Sequence, residues 1–166
     1  MAAPVTEFEI RRSTPDEADV LTELAMASKQ YWGYSEQYMR LWKRGLTFSP
    51  EYIEKNAVYA AVHKGTIVGV FAVTYGGAEC ELAHQWVAPE WIGKGLGRKL
   101  FDEALRVART TGAKTMRIVS DPNAEGFYRK MGARYVGYFP SKPDGRKMSY
   151  LVIDLERRKK RRRRSR

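Results

Sequence analysis

The stretch Val87-Ala-Pro-Glu-Trp-Ile-Gly-Lys-Gly-Leu-Gly-Arg98 places three glycines at alternate positions just ahead of an amphipathic segment. Glycine lets a chain turn tightly and leaves successive backbone N–H groups pointing outward. At a helix start those donors add to the partial positive charge of the helix N-terminus, and an anion is their natural guest. Gly93, Gly95 and Gly97 therefore read as a phosphate cradle, most naturally for a diphosphate, with Lys94 and Arg98 able to add charge. The spacing excludes two familiar alternatives. A dinucleotide fingerprint needs two residues between its second and third glycines, and only Leu96 stands there. A nucleoside-triphosphate loop needs a Gly-Lys-Ser/Thr ending, which is missing. Upstream, Glu81 and His84 are titratable groups on one run of strand-like residues. Strict alternation puts Glu81 with Ala83, Gln85 and Val87, and His84 with Leu82 and Trp86 on the opposite, buried face. A bulge would re-aim His84.

These residues need elements to hold them. Glu7 to Arg12 alternates as a first strand. Thr14-Pro-Asp-Glu17 is a capping box opening a helix to about Lys29, with Ala18, Leu21, Leu24, Ala25 and Ser28 on its inner face. Gly33 breaks it, and Ser35 and Ser49-Pro50 cap a second helix and a shorter third. Val58–His63, Thr66–Tyr75 and Cys80–Val87, separated by turn residues, form an antiparallel meander. A helix from about Gly97 buries Leu100, Phe101, Ala104, Leu105 and Ala108 and ends at Gly112. Thr115–Ser120 is a strand, Ala124–Lys130 a short helix, and Arg134–Phe139 and Lys147–Asp154 the last two strands. The expected fold is α/β, with one mixed, mostly antiparallel sheet of about seven strands and helices on both faces.

Taken with Asp121-Pro-Asn-Ala-Glu-Gly-Phe-Tyr-Arg-Lys-Met-Gly-Ala133, the glycine loop resembles the paired signature motifs of the GNAT N-acetyltransferase superfamily. The likeness runs from about residue 5 to 155. Ser28-Lys-Gln-Tyr-Trp-Gly-Tyr34 and His84-Gln-Trp-Val87 resemble a bacterial group within it. The resemblance implies acetyl-CoA as co-substrate, no metal, and transfer of its acetyl group to a primary amine by direct attack. Trp86, Val87, Gly93, Lys94, Gly95, Leu96, Gly97, Arg98 and Asn123 would then hold the coenzyme, with the Val87 N–H on the oxyanion and Asn123 on the pantetheine arm. Tyr128 stands where the family places the general acid that protonates the departing thiolate. Glu81 or His84 would serve as base, Glu81 being favoured by strand parity. Trp32 and Tyr34, flanking a helix break in an aromatic-rich segment, would line the acceptor pocket. Tyr38 and Trp42, at helical spacing, read as core, and an aromatic cage for a cationic amine is a further possibility. The family usually carries Gln or Arg where this chain has Ile92, which removes side-chain help there and leaves the backbone grip.

Composition bounds the alternatives. The chain has 166 residues, 43% of them hydrophobic, enough for one domain. Its net charge of +11 is concentrated in Arg157–Arg166, where nine of ten residues are basic; subtracting those nine leaves +2 for the remainder. We therefore expect a domain over 1–156 and a disordered basic tail over 157–166, able to contact polyanions nonspecifically. Two other readings stand beside the enzyme: a nucleic-acid-binding protein acting through that tail, and a non-catalytic acetyl-CoA-binding module. No run of residues is apolar enough to span a membrane and no secretory signal is visible, so a cytoplasmic protein is expected. The lone Cys80 is read as a small core residue. The acceptor is open among small amines, amino acids, aminoglycosides and protein amino groups, and a homodimer is a further expectation.

Overall fold

The computed structural model describes residues 7–156. Strand β1 (Glu9–Arg12) leads through a single 3-10 turn into helix α1 (Ala18–Gln30). The junction is fastened as the sequence foretells: Glu17 accepts from the Thr14 N–H at 2.8 Å and pairs with Arg11. Helices α2 (Glu36–Leu46) and α3 (Pro50–Lys55) start at Ser35 and Ser49, whose hydroxyls accept from the N–H groups of Tyr38 and Tyr52. Each cap satisfies a donor that the helix leaves unpaired.

Strands β2 (Ala57–His63), β3 (Thr66–Thr74) and β4 (Glu79–Val87) follow as the meander, then helix α4 (Leu96–Thr110), β5 (Thr115–Ser120), helix α5 (Glu125–Lys130), β6 (Arg134–Ser141) and β7 (Arg146–Asp154). They form one seven-stranded sheet in the order β1-β2-β3-β4-β5-β7-β6. Every pairing is antiparallel except β4 with β5. Helices α4 and α5 cover one face, over Phe71, Leu82, Met116 and Ile118. Helices α1 to α3 cover the other, over Val58, Val70 and Ala72. All five residues assigned to the inner face of α4 are buried, and Cys80 lies in the same core. Gly69 of β3 lets α4 lie close to the sheet, because a Cβ there would stand 2.9 Å from the Leu100 Cδ1.

Two irregularities in β4 shape everything that follows. Its parallel pairing with β5 covers only Glu79–Leu82 against Thr115–Ile118. Beyond that point the two strands diverge, and the helix-connected ends of both are left without a ladder partner on the facing side. In the antiparallel ladder with β3, Val73 faces Leu82 but Ala72 faces His84, so Ala83 is the extra residue of a bulge. Such an insertion reverses the pleat beyond it.

Candidate active site

The bulge corrects the strand-parity expectation. Leu82 packs into the α4 core, whereas His84, two residues on, contacts Phe48 and Tyr52 in the α1–α3 layer. Glu81 and His84 consequently look toward the same side of the sheet. His84 is enclosed by aromatic rings, and its Nδ1 accepts from the Trp86 indole N–H at 3.0 Å. Since an indole only donates, the neutral ring carries its proton on Nε2. Burial pulls the imidazole down to about 4. The group is thus neutral at physiological pH and presents a donor, not a free lone pair. Glu81 is held by Arg117, Oε2 to Nη2 at 2.9 Å, outside the cavity lining. The acid–base roles expected of these two residues lack geometric support.

A cavity of about 430 Å³ opens where β4 and β5 diverge. Its wall draws on both layers: Leu82, Ile118 and Tyr128 from the α4 side, and Trp42, His84 and Trp86 from the α1–α3 side. The cavity therefore crosses the sheet, which only a break in the β4–β5 ladder permits. Ala88 N–H donates to Val68 C=O at 2.9 Å. By antiparallel alternation, the N–H groups of Gln85 and Val87 then face away from β3, toward the opening. Tyr128 is buried in the wall, and burial alone pushes its phenol well above the ordinary range.

On the α4 side the glycine loop is formed as its spacing requires. Gly93 and Gly95 take φ of 81° and 86°, and a Cβ at either would meet nothing within 4 Å, so the loop is open to a ligand. Gly95 is the helix cap and offers no side-chain acceptor to the first N–H groups of α4. Lys94 lies over the Trp91 ring, Arg98 is exposed, and the Leu96 side chain is in the core, leaving only its backbone for a ligand. Gln85 Nε2 donates to Gly97 C=O at 3.0 Å while its Oε1 is buried without a partner. An unpaired buried acceptor beside an open row of donors suits a long polar ligand carrying both phosphate and amide groups.

On the opposite side, sequence reasoning missed the most heavily connected group. Asp121 is buried, and its Oδ2 receives Lys29 Nζ at 2.5 Å, Tyr34 OH at 2.8 Å and Arg146 Nη2 at 3.1 Å. Its Oδ1 receives the backbone and side-chain N–H groups of Asn123, both at 2.8 Å. Burial, the largest single influence, would raise the carboxyl, but Lys29, the Asn123 N–H and the Tyr34 hydroxyl together hold Asp121 below the usual carboxylate range. Burial lowers Lys29, with Asp121 opposing. Lys29 sits over the rings of Trp42 and Tyr34 at 4.8 and 5.2 Å, and Arg146 over the same rings at 4.3 and 5.5 Å. Those faces are taken, so the cage for a cationic amine is not formed. Trp42 is half-buried, packing against the α1–α3 core on one side and lining the cavity on the other, whereas Tyr38 is exposed, which corrects its assignment to the core. Trp32 is 45% exposed, packs on Tyr31 and lies outside the cavity, contrary to its expected place. Tyr34 reaches the site through Asp121 and also accepts from Asn123 at 3.1 Å. A lysine following Leu21, Leu24, Ala25 and Ser28 on the inner face of α1 was the available signal for Lys29.

A sheet parted between two strands, an anion-ready helix start on one side and a charged pocket on the other define an α/β protein suited to a ligand threaded across its sheet. The model of the Acetyltransferase (GNAT) family matches residues 19–133, and the chain belongs to that family. Solved structures agree on the fold. The PaiA N-acetyltransferase of Thermoplasma acidophilum, in complex with coenzyme A, superposes with a TM-score of 0.73 at 22% identity, over 89% of this chain and 99% of that one. A GCN5-related N-acetyltransferase from Rhodopseudomonas palustris gives 0.74 at 19%, over 92% and 99%. The IAA acetyltransferase from Bacillus cereus gives 0.64 at 19%, over 89% and 99%. No curated protein sequence gives a significant match. Among the described residues no helix is long and apolar enough to cross a membrane. The basic tail, 157–166, lies outside the described residues.

Proposed function

We propose that the chain moves the acetyl group of acetyl-CoA to a primary amine within the cavity that crosses the sheet. The observation that carries this reading is the continuity of that cavity from Tyr128 to the Trp42–Arg146 pocket, with Gln85 in its wall hydrogen-bonded to Gly97 of the glycine loop. The N–H groups at the start of α4 hold the diphosphate, and the unpaired Gln85 Oε1 is placed to accept from an amide of the arm. Asn123 already spends its side-chain N–H groups on Asp121 and Tyr34, so its carbonyl is what it offers to pantetheine.

The amine lone pair attacks the thioester carbonyl carbon; a C–N bond forms, and the oxyanion is met by the outward N–H of Val87. As the C–S bond breaks, the thiolate takes the phenolic proton of Tyr128, which water restores. Burial that weakens Tyr128 as an acid acts on the thiol too, so donor and acceptor rise together. Once the C–N bond has formed, the nitrogen gives a proton to water, and water returns one to the Tyr128 phenolate. Before attack, the ammonium must first lose one proton to water. Two cations sharing one carboxylate at the acceptor end disfavour an ammonium there and ease that loss.

Tyr128→Phe removes only a proton donor. It should lower kcat by roughly 10²-fold while the KM for acetyl-CoA stays within about twofold, followed by thiol release over an amine panel. An unchanged kcat with chemistry rate-limiting would remove Tyr128 from the mechanism.

A further inference from the structure

The acceptor end of the cavity has a charge that the protein does not balance. Its lining contains the cations Lys29, Lys142 and Arg146, and Asp121 is the only acid among the described lining residues. Lys142 is exposed and pairs with Asp144 in the β6–β7 turn. Lys29 and Arg146, with side chains 5% and 14% exposed, must share Asp121 between them. Every recorded contact to Asp121 is from a donor, so its carboxylate is ionised and the set carries one net positive charge.

Among the described residues Asp121 is the only charged acceptor these two cations have. Arg146 Nη2 donates to it and, at 3.4 Å, to Tyr34 OH, whereas Nη1 donates only to neutral acceptors, Ser141 Oγ and the Met148 thioether, the latter a weak one. Lys29 has one oxygen partner and otherwise faces aromatic rings. A guanidinium 4.3 Å from the centre of the Trp42 ring, its Nη1 group held by a hydroxyl and a thioether and not by an anion, can exchange those neutral partners for a carboxylate. A second cation in that position would meet net repulsion.

We infer that the acceptor is an amino-carboxylate of free amino-acid size, its carboxylate seated on Arg146 against the Trp42 wall, with Lys29 behind and its amine directed toward β4. The inference rests on the acetyl-transfer reading and adds the substrate class to it. Diamines, polyamines and aminoglycosides are then poor acceptors.

The test compares three forms of each acceptor: the free L-amino acid, its carboxamide, and the amine lacking the carboxyl. Thiol release from acetyl-CoA is followed with the full chain. In parallel, binding of the matching N-acetyl products to CoA-loaded protein is measured by calorimetry, so that the comparison does not depend on turnover. At least one amino acid should exceed its carboxamide and its decarboxylated amine by roughly 10- to 100-fold in kcat/KM or in affinity. Arg146→Gln leaves the Lys29–Asp121 pair neutral and intact, and should collapse that ratio. Arg146→Lys should retain part of it. A merely structural role for Arg146 would lower all three forms equally and overturn the inference. So would equal use of the three forms by the wild type, or preference for diamines. If acetyl-CoA itself fails to bind, the acetyl-transfer reading is what has failed, and the inference falls with it.

Discussion

Acidification should weaken the fold through His84 in a way that its surroundings determine. In the unfolded chain the imidazole binds a proton below about 6.5, whereas in the folded chain burial among Phe48, Tyr52 and Trp86 delays this to about 4. Between those values the unfolded state holds more protons, so stability is fully present above about 6.5 and declines as pH falls toward 4. At 1.36 kcal/mol per pK unit the loss is at most about 3 kcal/mol, less whatever water in the cavity screens. His84→Asn keeps an acceptor for the Trp86 indole but cannot titrate. Urea unfolding midpoints of the two proteins, taken at half-unit pH steps with unchanged m-values, isolate the effect by difference. Imidazole nitrogen shifts read the titration directly, and the chain has only one other histidine, His63. A His84 that titrates near 6.5, or a stability difference flat across this window, would refute the burial reasoning. It would also return His84 to candidacy as a base.

Other consequences follow from the same contacts. Asp121→Asn leaves Lys29 and Arg146 facing one another without their anion, and should cost about 3–5 kcal/mol in urea unfolding, far more than a surface change. Glu17 is held at about 2, first by its hydrogen bond to Arg11. The stability it contributes is present above about 4.5 and lost as pH falls to 2. That contribution is about 1 kcal/mol or less, because Arg11 is partly exposed, and Glu17→Gln should flatten the acid limb by that amount.

Local chemistry made most of this protein legible from its residues. The caps at Thr14, Ser35 and Ser49, the inner face of α4 and the glycine loop depend on neighbours a few positions apart, and each is found where its spacing puts it. What was hidden depends on pairing across the sheet. The bulge at Ala83 is a property of the β3–β4 register, so counting along β4 alone gave His84 a face it does not occupy. The Asp121 cluster joins residues 92 positions apart, Lys29 on α1 and Asp121 after β5, and then Arg146 on β7. In the structure Asp121 caps the turn by accepting from the Asn123 N–H, and nothing local in the sequence marks it as the partner of two buried cations. Trp42 was only half legible for a related reason. Helical spacing suggests packing, and the ring does meet Tyr38 and the α1–α3 core, but its indole N–H also donates at 2.7 Å to Lys142 C=O in the β6–β7 turn, which stands the ring against the cavity.

The central claim is that this chain grips acetyl-CoA by the backbone at the start of α4. Calorimetric titration of the full chain with acetyl-CoA tests it most directly, with Gly95→Glu alongside. Gly95 sits at φ 86° in open space, so a glutamate there adds backbone strain of about 1–2 kcal/mol and puts a carboxylate where the diphosphate should lie. The account predicts one-site binding by the wild type well below millimolar concentration and its loss in Gly95→Glu protein that still unfolds cooperatively. Absence of binding by the wild type at sub-millimolar acetyl-CoA, or undiminished binding by the variant, would contradict it.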